Sequence, residues 1–206
     1  SSTYQFSSMP RFNTPQAEAN FASYPLRRLD AEVLIDAINK ISGASDLYTS
    51  AIPEPFTYIP QDKPAIAIAD GSITSPFLTL FGRSARATGM ENERVNRPVA
   101  AQWLHMLNSS HIQSKLDQGP KLRAIFDSSR KPDEVVEELY LTVLSRFPTA
   151  EEVQNVEQYG KTSTVSKSGK SSKSSKSGRS GGTRRREDWV DITWALINSS
   201  EFLYRH

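Results

Sequence analysis

A basic, low-complexity tract near the C-terminal end places the strongest constraint on how this chain can fold. Between Lys161 and Arg186 there are nine basic residues and no acidic one, and nearly every other side chain is Ser, Gly or Thr. Such a segment cannot bury enough apolar surface to offset the ~1–2 kcal/mol of backbone entropy lost per ordered residue. We therefore expect residues 160–186 to form a disordered loop inserted in the folded part of the chain.

The tract also dominates the charge of the chain. The formal net charge is +2, from 25 Lys and Arg against 23 Asp and Glu. Outside the tract, 16 basic residues face all 23 acidic ones, so the remainder carries a charge of −7. The tract could be a solvated spacer, which we favour, could fold back on the acidic remainder, or could contact an anionic polymer through salt-sensitive pairing. It contains no aromatic side chain for base stacking, so nucleic acid is not an expected partner.

Several classes of protein are excluded by what the 206 residues lack. No cysteine is present, which excludes disulfide scaffolds, thiolate metal sites and thiol nucleophiles. No apolar run approaches the ~20 residues of a membrane-spanning helix, so no membrane span is expected. His105 and His111 lack a third ligand nearby, and we expect neither a metal nor a cofactor in this segment. The first residues show no signal-peptide pattern, so we expect the chain to continue a missing upstream region.

Hydrophobic periodicity predicts a mainly α fold. Apolar residues recur every three or four positions from Leu29 to Ile41, and Gly43 stands where a C-terminal cap belongs. Thr149 and Glu152 have the spacing of a capping box. The same criteria predict further helices near 73–81, 98–108, 112–118, 120–126, 132–147, 149–159 and 187–197, a Pro-rich extended loop at 51–64 and a short strand at 65–69.

These elements predict a single compact helical domain of about six to eight helices, with long irregular loops and one disordered basic insert. We expect an irregular N-terminal segment at 1–28, a helical domain at 29–159, the loop at 160–186 and a C-terminal helix at 187–206 that packs on the domain. Trp189 and Trp194 would lie roughly 140° apart on that last helix, so only one can face the core centrally. We favour Trp194 for core packing and leave Trp189 undecided.

The densest polar chemistry lies in an arginine-rich segment that opens onto the helix beginning near Pro98. Its four arginines are Arg83, Arg86, Arg94 and Arg97. Together with a helix N-terminus they could bind a carboxylate, sulfate or phosphate group. Polar partners on the following helix would be Gln102, His105 and Asn108. The simpler interpretation, which we favour, is that the arginines pair with carboxylates of the same chain and hold a polar loop in place.

Short motifs spread along the chain carry a resemblance to a known family. The segments are 2–5, 7–8, 27–29, 31–38, 81–83, 93–94, 97–98, 107–108, 140–149, 151–152 and 194–203, with the single residues Gly43, Arg86 and Gln102. They include Arg27-Arg28-Leu29, Phe81-Gly82-Arg83, Arg97-Pro98 and Ser145-Arg146-Phe147-Pro148. In their order they resemble a planctomycete-specific domain of unknown function, found C-terminal to planctomycete-cytochrome and cytochrome-c-like domains. The resemblance implies a periplasmic or secreted location, with haem in the missing upstream domains.

Two hypotheses about function follow. The first is a non-catalytic structural or interaction module of a larger secreted bacterial protein, with its upstream domains as partners and a link to polysaccharide handling through an anionic polysaccharide. The alternative is part of a hydrolase or redox enzyme site that binds an anionic substrate through the Arg83–Arg97 loop. They differ in whether Arg83, Arg94 and Arg97 reach an open cleft or are held by buried carboxylates.

Overall fold

The computed structural model describes residues 7, 9, 14–24, 27–50, 52–53, 59, 63–68, 71–84, 93–95, 97–166 and 185–205. The prediction of a mainly α, compact fold is confirmed. The residues are grouped in two compact units. Unit 1 contains residues 1–40, 45–109 and 199–206, and unit 2 contains residues 41–44 and 110–198.

Helices account for most of the described elements. The α-helices are α1 (Pro15–Ala19), α2 (Ala31–Ser42), α3 (Pro76–Leu80), α4 (Ala100–Asn108), α5 (Ser110–Gln118), α6 (Pro120–Phe126), α7 (Pro132–Leu144), α8 (Ala150–Ser166), α9 (Arg186–Ile197) and α10 (Ser200–Leu203). The strands are two residues long: β1 (Arg27–Arg28), β2 (Thr49–Ser50), β3 (Ile73–Thr74) and β4 (Tyr204–Arg205). The predicted helices therefore appear close to their expected bounds, and Gly43 follows α2 with a φ of +75°, as expected of a C-terminal cap.

Unit 1 is closed by pairing between distant parts of the chain. β1 pairs with β4 in an antiparallel ladder that sets Arg28 opposite Tyr204, and the Leu29 N–H donates to the Leu203 carbonyl at 2.9 Å. β2 pairs with β3 in the same sense. The apolar face of α2 lies in the core with the side chains of α3, and the rings of Phe77 and Phe81 stack with centroids 4.2 Å apart.

The predicted strand at 65–69 is wrong, because Ala65–Ala67 form a 3₁₀ turn. Its first two amide groups, those of Ala65 and Ile66, donate to the carboxylate of Asp36 at 2.7 and 2.9 Å. A carboxylate on α2 thus satisfies the donors that a helical turn leaves free, and this partner is about thirty positions away in the sequence. The Pro-rich loop predicted at 51–64 lies mostly outside the described residues.

Unit 2 is a set of helices in which α9 packs against α5, α7 and α8. Trp189 is the tryptophan that α9 buries, at 4% exposure, whereas Trp194 is only partly covered, the reverse of the preference stated from the sequence. Val190, Thr193 and Ile197 share the buried face with Trp189, because residues one, four and eight positions apart cluster on one side of a helix.

The start of α8 confirms the predicted capping box. The Thr149 N–H donates to Glu152 Oε2 at 2.7 Å, and the Glu152 N–H donates to Thr149 Oγ1 at 3.3 Å. Arg146 adds two hydrogen bonds to the same carboxylate, at 2.7 and 2.9 Å. These bonds hold the pKa of Glu152 at about 2, well below its ordinary value.

The two ends of the basic tract belong to the helices that flank it, α8 and α9. The backbone of α8 continues to Ser166, into the segment predicted as loop, because an established helix adds one hydrogen bond for each residue it extends. Residues 167–184 lie outside the described residues. Tyr159 precedes the tract and Asp191 follows it. The Tyr159 hydroxyl donates to Asp191 Oδ2 at 2.8 Å, which links α8 to α9.

In the part of the chain that is described, no helix combines the length and apolarity needed to cross a bilayer.

Candidate functional site

Two of the four predicted anion-binding arginines meet at one buried carboxylate. Arg94 donates through Nη1 and Nη2 to the two oxygens of Glu32, at 2.8 and 2.9 Å. Arg83 Nε lies 3.3 Å from Glu32 Oε1. The Glu32 side chain is 7% exposed and lies in the first turn of α2. We call Glu32, Arg83 and Arg94 the Glu32 cluster.

The remaining donors of Arg83 bind backbone carbonyls. Nη1 donates to Ile73 O at 2.6 Å and Nη2 to Ile68 O at 2.7 Å. One guanidinium therefore ties together the start of α2, the 3₁₀ turn region and β3, all within unit 1. A planar group with five donors in fixed directions is suited to such bridging.

A glycine at the base of the loop brings Arg83 and Arg94 together. Gly82 has a φ of +83°, and its carbonyl accepts a hydrogen bond from the Val95 N–H at 3.1 Å. A Cβ at Gly82 would overlap the Val95 carbonyl oxygen. Only glycine allows both the left-handed backbone and this close approach, so the loop is closed between residues 82 and 95.

The charge of the Glu32 cluster controls how its carboxyl titrates. Burial alone would raise the pKa of Glu32, but the hydrogen bonds from Arg94 and the charges of Arg94 and Arg83 outweigh it and leave the pKa below its ordinary value. The carboxylate is therefore ionised at neutral pH. It accepts three guanidinium contacts and is the internal partner that the simpler interpretation of the arginine-rich segment requires.

The other two predicted arginines are not part of this cluster. Arg97 is exposed just before α4, and Arg86 lies outside the described residues. Asn108, one of the predicted polar partners, is exposed at the last position of α4. The structure thus brings together Arg83 and Arg94, and does so around a carboxylate of the same unit.

Gln102, the second predicted polar partner, is buried and uses its amide on three groups. Its Nε2 donates to Leu80 O at 2.9 Å, and its Oε1 accepts from the Val99 N–H at 3.2 Å and from Arg28 Nη1. His105, the third partner, makes edge contacts with the rings of Phe77 and Phe81, whose centroids lie 5.6 and 6.1 Å from its own. Both side chains therefore face the interior of unit 1.

Arg28 belongs to the Arg27-Arg28-Leu29 motif of the resemblance, but the sequence analysis did not name it as a candidate site residue. It is 7% exposed, its Nη2 donates to Phe81 O at 2.7 Å, and its guanidinium carbon lies 5.0 Å from the centre of the Phe81 ring. On the same side lie Tyr204, which faces it across the ladder, and Trp103, whose ring centroid is 6.2 Å from that of Tyr204. We call Arg28, Phe81, Gln102, Trp103 and Tyr204 the Arg28 cluster.

No pattern near Arg28 in the sequence indicates its burial, since it is one of two adjacent arginines between Leu26 and Leu29. The burial of Arg28 follows from strand pairing with residues at the other end of the chain.

Among the described residues, no three His, Asp or Glu side chains are placed so that they could hold a metal ion.

No curated protein and no solved structure matches this chain. The model of the PSD1 family, described as a protein of unknown function (DUF1553), matches residues 1–160. The resemblance to a domain of unknown function is thereby confirmed. Because the match covers more than three quarters of the sequence, the chain belongs to the DUF1553 family.

Proposed function

We propose that this chain is a non-catalytic structural or interaction module of a larger secreted bacterial protein. The observation that supports this is the internal use of the polar side chains that would have formed a substrate site. Arg83 and Arg94 are held by Glu32, and Gln102 is held by Leu80 and Arg28. Side chains used in this way stabilise the loop and helix geometry of unit 1 and are not available to a reacting group.

The biological context in this proposal comes from the resemblance described above. It places the module C-terminal to cytochrome-associated domains in a planctomycete protein that is periplasmic or secreted. Its first partners would be those upstream domains, which would carry any haem, and a second partner would be an anionic polysaccharide. No part of the chemistry of haem is assigned to the residues of this chain.

The alternative is a contribution to a hydrolase or redox enzyme site through the Arg83–Arg97 loop. A substrate anion would need guanidinium donors that it can reach. Two of the four arginines direct donors at Glu32, and for this reason we favour the module. Among the described arginines of the loop, Arg97 is exposed, and the alternative therefore depends on Arg97.

The two hypotheses can be separated by binding and by substitution of Arg97. The 206-residue chain and the upstream part of its parent protein would be produced as separate polypeptides and mixed in a calorimeter. A module of this kind should bind the upstream part with a dissociation constant of about 10 µM or below, near −7 kcal/mol. An absence of heat at about ten times that concentration would contradict the proposal.

Arg97→Gln in the full parent protein supplies the second measurement. The module hypothesis predicts that every activity measured for the parent protein is unchanged, since Arg97 lies outside the Glu32 cluster. A loss of activity in a variant that still folds would instead support the alternative. Glu137→Gln, an exposed charge change on α7, is the matched control.

A further inference from the structure

Arg28 is a buried cation with an unused donor. Its side chain sends Nη1 to Gln102 and Nη2 to the Phe81 carbonyl, whereas Nε is buried without a hydrogen-bond partner. Within the described part of the chain, no carboxylate lies at ion-pair distance from Arg28. Its two hydrogen-bond acceptors, an amide and a backbone carbonyl, are both uncharged.

Such an arrangement is unfavourable for a charged group. Burial lowers the pKa of Arg28, and the nearby Tyr204 and Asp30 oppose this only in part. The Phe81 ring at 5.0 Å offers a weaker, electrostatic compensation. Arginine stays protonated at any pH a cell reaches, so Arg28 keeps its positive charge, and no carboxylate among the described residues forms an ion pair with it.

One partly exposed ring, that of Tyr204, lies opposite Arg28, and a second, that of Trp103, lies against the first. In the antiparallel ladder Tyr204 is directly opposite Arg28, and residues paired in this way project on the same face. Trp103 follows Gln102 on α4, and its ring is inclined by 34° to that of Tyr204. Both side chains are intermediate in exposure, so their rings reach the surface while Arg28 does not. Rings of this type stack on flat ligand faces and carry polar donors at their edges.

We propose that the Arg28 cluster binds a carboxylate carried on a ring, the chemistry shared by acidic sugars and aromatic acids. The carboxylate would accept from Arg28 Nε, and the ring of the ligand would lie against Trp103 and Tyr204. Entry of the carboxylate requires a neighbouring side chain to move, because Nε is buried in the present arrangement. For acidic sugars the inference gives a site to the anionic polysaccharide of the proposed function and rests on that part of it, whereas binding of the upstream domains is measured separately and can fail independently.

The geometry also defines which neighbouring residue should not take part. Arg27 is exposed and adjacent in sequence to Arg28, but its register partner is Arg205 and it projects on the other face of the ladder. An anion attracted only by positive charge would use Arg27 at least as well as Arg28. Arg27→Gln is therefore the matched control for a specific site.

The experiment is a nuclear magnetic resonance titration of the 206-residue chain that follows the Nε–H signal of Arg28, assigned by its loss in Arg28→Lys. Sodium glucuronate and sodium benzoate are the probes, with glucose and benzyl alcohol as their neutral counterparts and sodium chloride at equal ionic strength. We expect saturable shifts of the Arg28 signal and of the Trp103 indole N–H with at least one carboxylate, at a dissociation constant on the order of 1 mM or below. Whichever probe binds more tightly identifies the source of the ring.

Two further variants complete the test. Arg27→Gln should leave the titration unchanged, and Trp103→Leu, which keeps Arg28, should weaken binding at least fivefold. The proposal is overturned if the Arg28 signal does not move, or if neutral counterparts or chloride move it equally. Equal weakening in Arg27→Gln would also overturn it, because that result indicates charge attraction alone. The Arg28 Nε–H signal can also be assigned in the wild type through its bonds to the Arg28 backbone, so these outcomes do not depend on whether Arg28→Lys folds.

Discussion

Two buried arginine environments in unit 1 differ in how their charge is compensated. In the Glu32 cluster, two guanidinium groups share one carboxylate through contacts of 2.8–3.3 Å. In the Arg28 cluster, one guanidinium is bound by an amide, a carbonyl and a ring, without a carboxylate in the described residues. The first arrangement makes its members mutually dependent for stability. The second leaves Arg28 without a carboxylate partner among the described residues, and the proposed anion site rests on this difference.

The largest expected effect is that of Glu32→Gln. The substitution keeps the size of the side chain but leaves Arg83 and Arg94 without their buried counter-charge, so unit 1 should lose about 3 kcal/mol of unfolding free energy. Urea unfolding followed by the indole signal of Trp103 measures this, because Trp103 is the tryptophan of unit 1. The exposed Glu137→Gln should change the value by less than about 0.5 kcal/mol. A similarly small effect of Glu32→Gln would show that the Glu32 cluster contributes little to the unfolding free energy of unit 1.

Acidification should reduce the difference in unfolding free energy between the wild type and Glu32→Gln. The pKa of Glu32 is lowered in the folded state, so the unfolded chain binds the proton more readily. The stability that Glu32 contributes is therefore complete above its ordinary pKa of 4.5 and is lost as the pH falls through the lower, folded value. Urea midpoints of the wild type and of Glu32→Gln should converge below about pH 4.5. Parallel curves down to pH 3 would contradict the assigned ion pair.

A smaller effect is expected from the more exposed ion pair of unit 2. Glu152→Gln removes a carboxylate that caps α8 and binds Arg146, whose side chains are 28% and 35% exposed. Because solvent screens this pair, the loss should be about 1 kcal/mol, seen as a lower urea midpoint in the signals of Trp189 and Trp194. Glu151→Gln, one position away and exposed, is the control. A loss equal to that of Glu32→Gln would remove the distinction between buried and exposed pairs.

The smallest expected effect is that of Arg28→Met on stability. Methionine fills a similar volume and removes the cost of burying an unpaired charge, which offsets the lost bonds to Gln102 and Phe81. The unfolding free energy should stay within about 1 kcal/mol of the wild type, again measured through Trp103. A loss of about 3 kcal/mol would show that Arg28 is as necessary to the fold as Glu32. In that case the contrast between the two clusters would disappear.

Local features of the fold were predictable because their determinants lie within a few residues of one another. The periodicity of α2, the positive φ of Gly43 and the capping box of Thr149 and Glu152 all involve neighbours within one or two helical turns. The strand predicted at 65–69 failed because the carboxylate that turns it into a 3₁₀ helix is supplied by Asp36. A short apolar run has only a weak preference for strand over helix, so a hydrogen bond to a residue distant in sequence decides its conformation.

The candidate site likewise contains residues that the sequence indicated and one that it did not. The arginine-rich segment pointed to Arg83 and Arg94, and the simpler interpretation anticipated that carboxylates of the chain would hold them, but their partner Glu32 is more than fifty positions away. Arg28 had no local signal, since its burial depends on Phe81, Gln102 and Tyr204 from three separate parts of the chain.

The sequence by itself determined a helical chain in which the positive charge is concentrated in one tract, because periodicity and composition act locally and need no knowledge of the fold. Only the tertiary structure decided which charges are neutralised. The formal charge of +2 contains no information on pairing, because an ion pair depends on distance and burial, which arise when residues remote in sequence are packed together. That packing places Arg83 and Arg94 around the shared carboxylate of Glu32, whereas Arg28 has no carboxylate at ion-pair distance among the described residues.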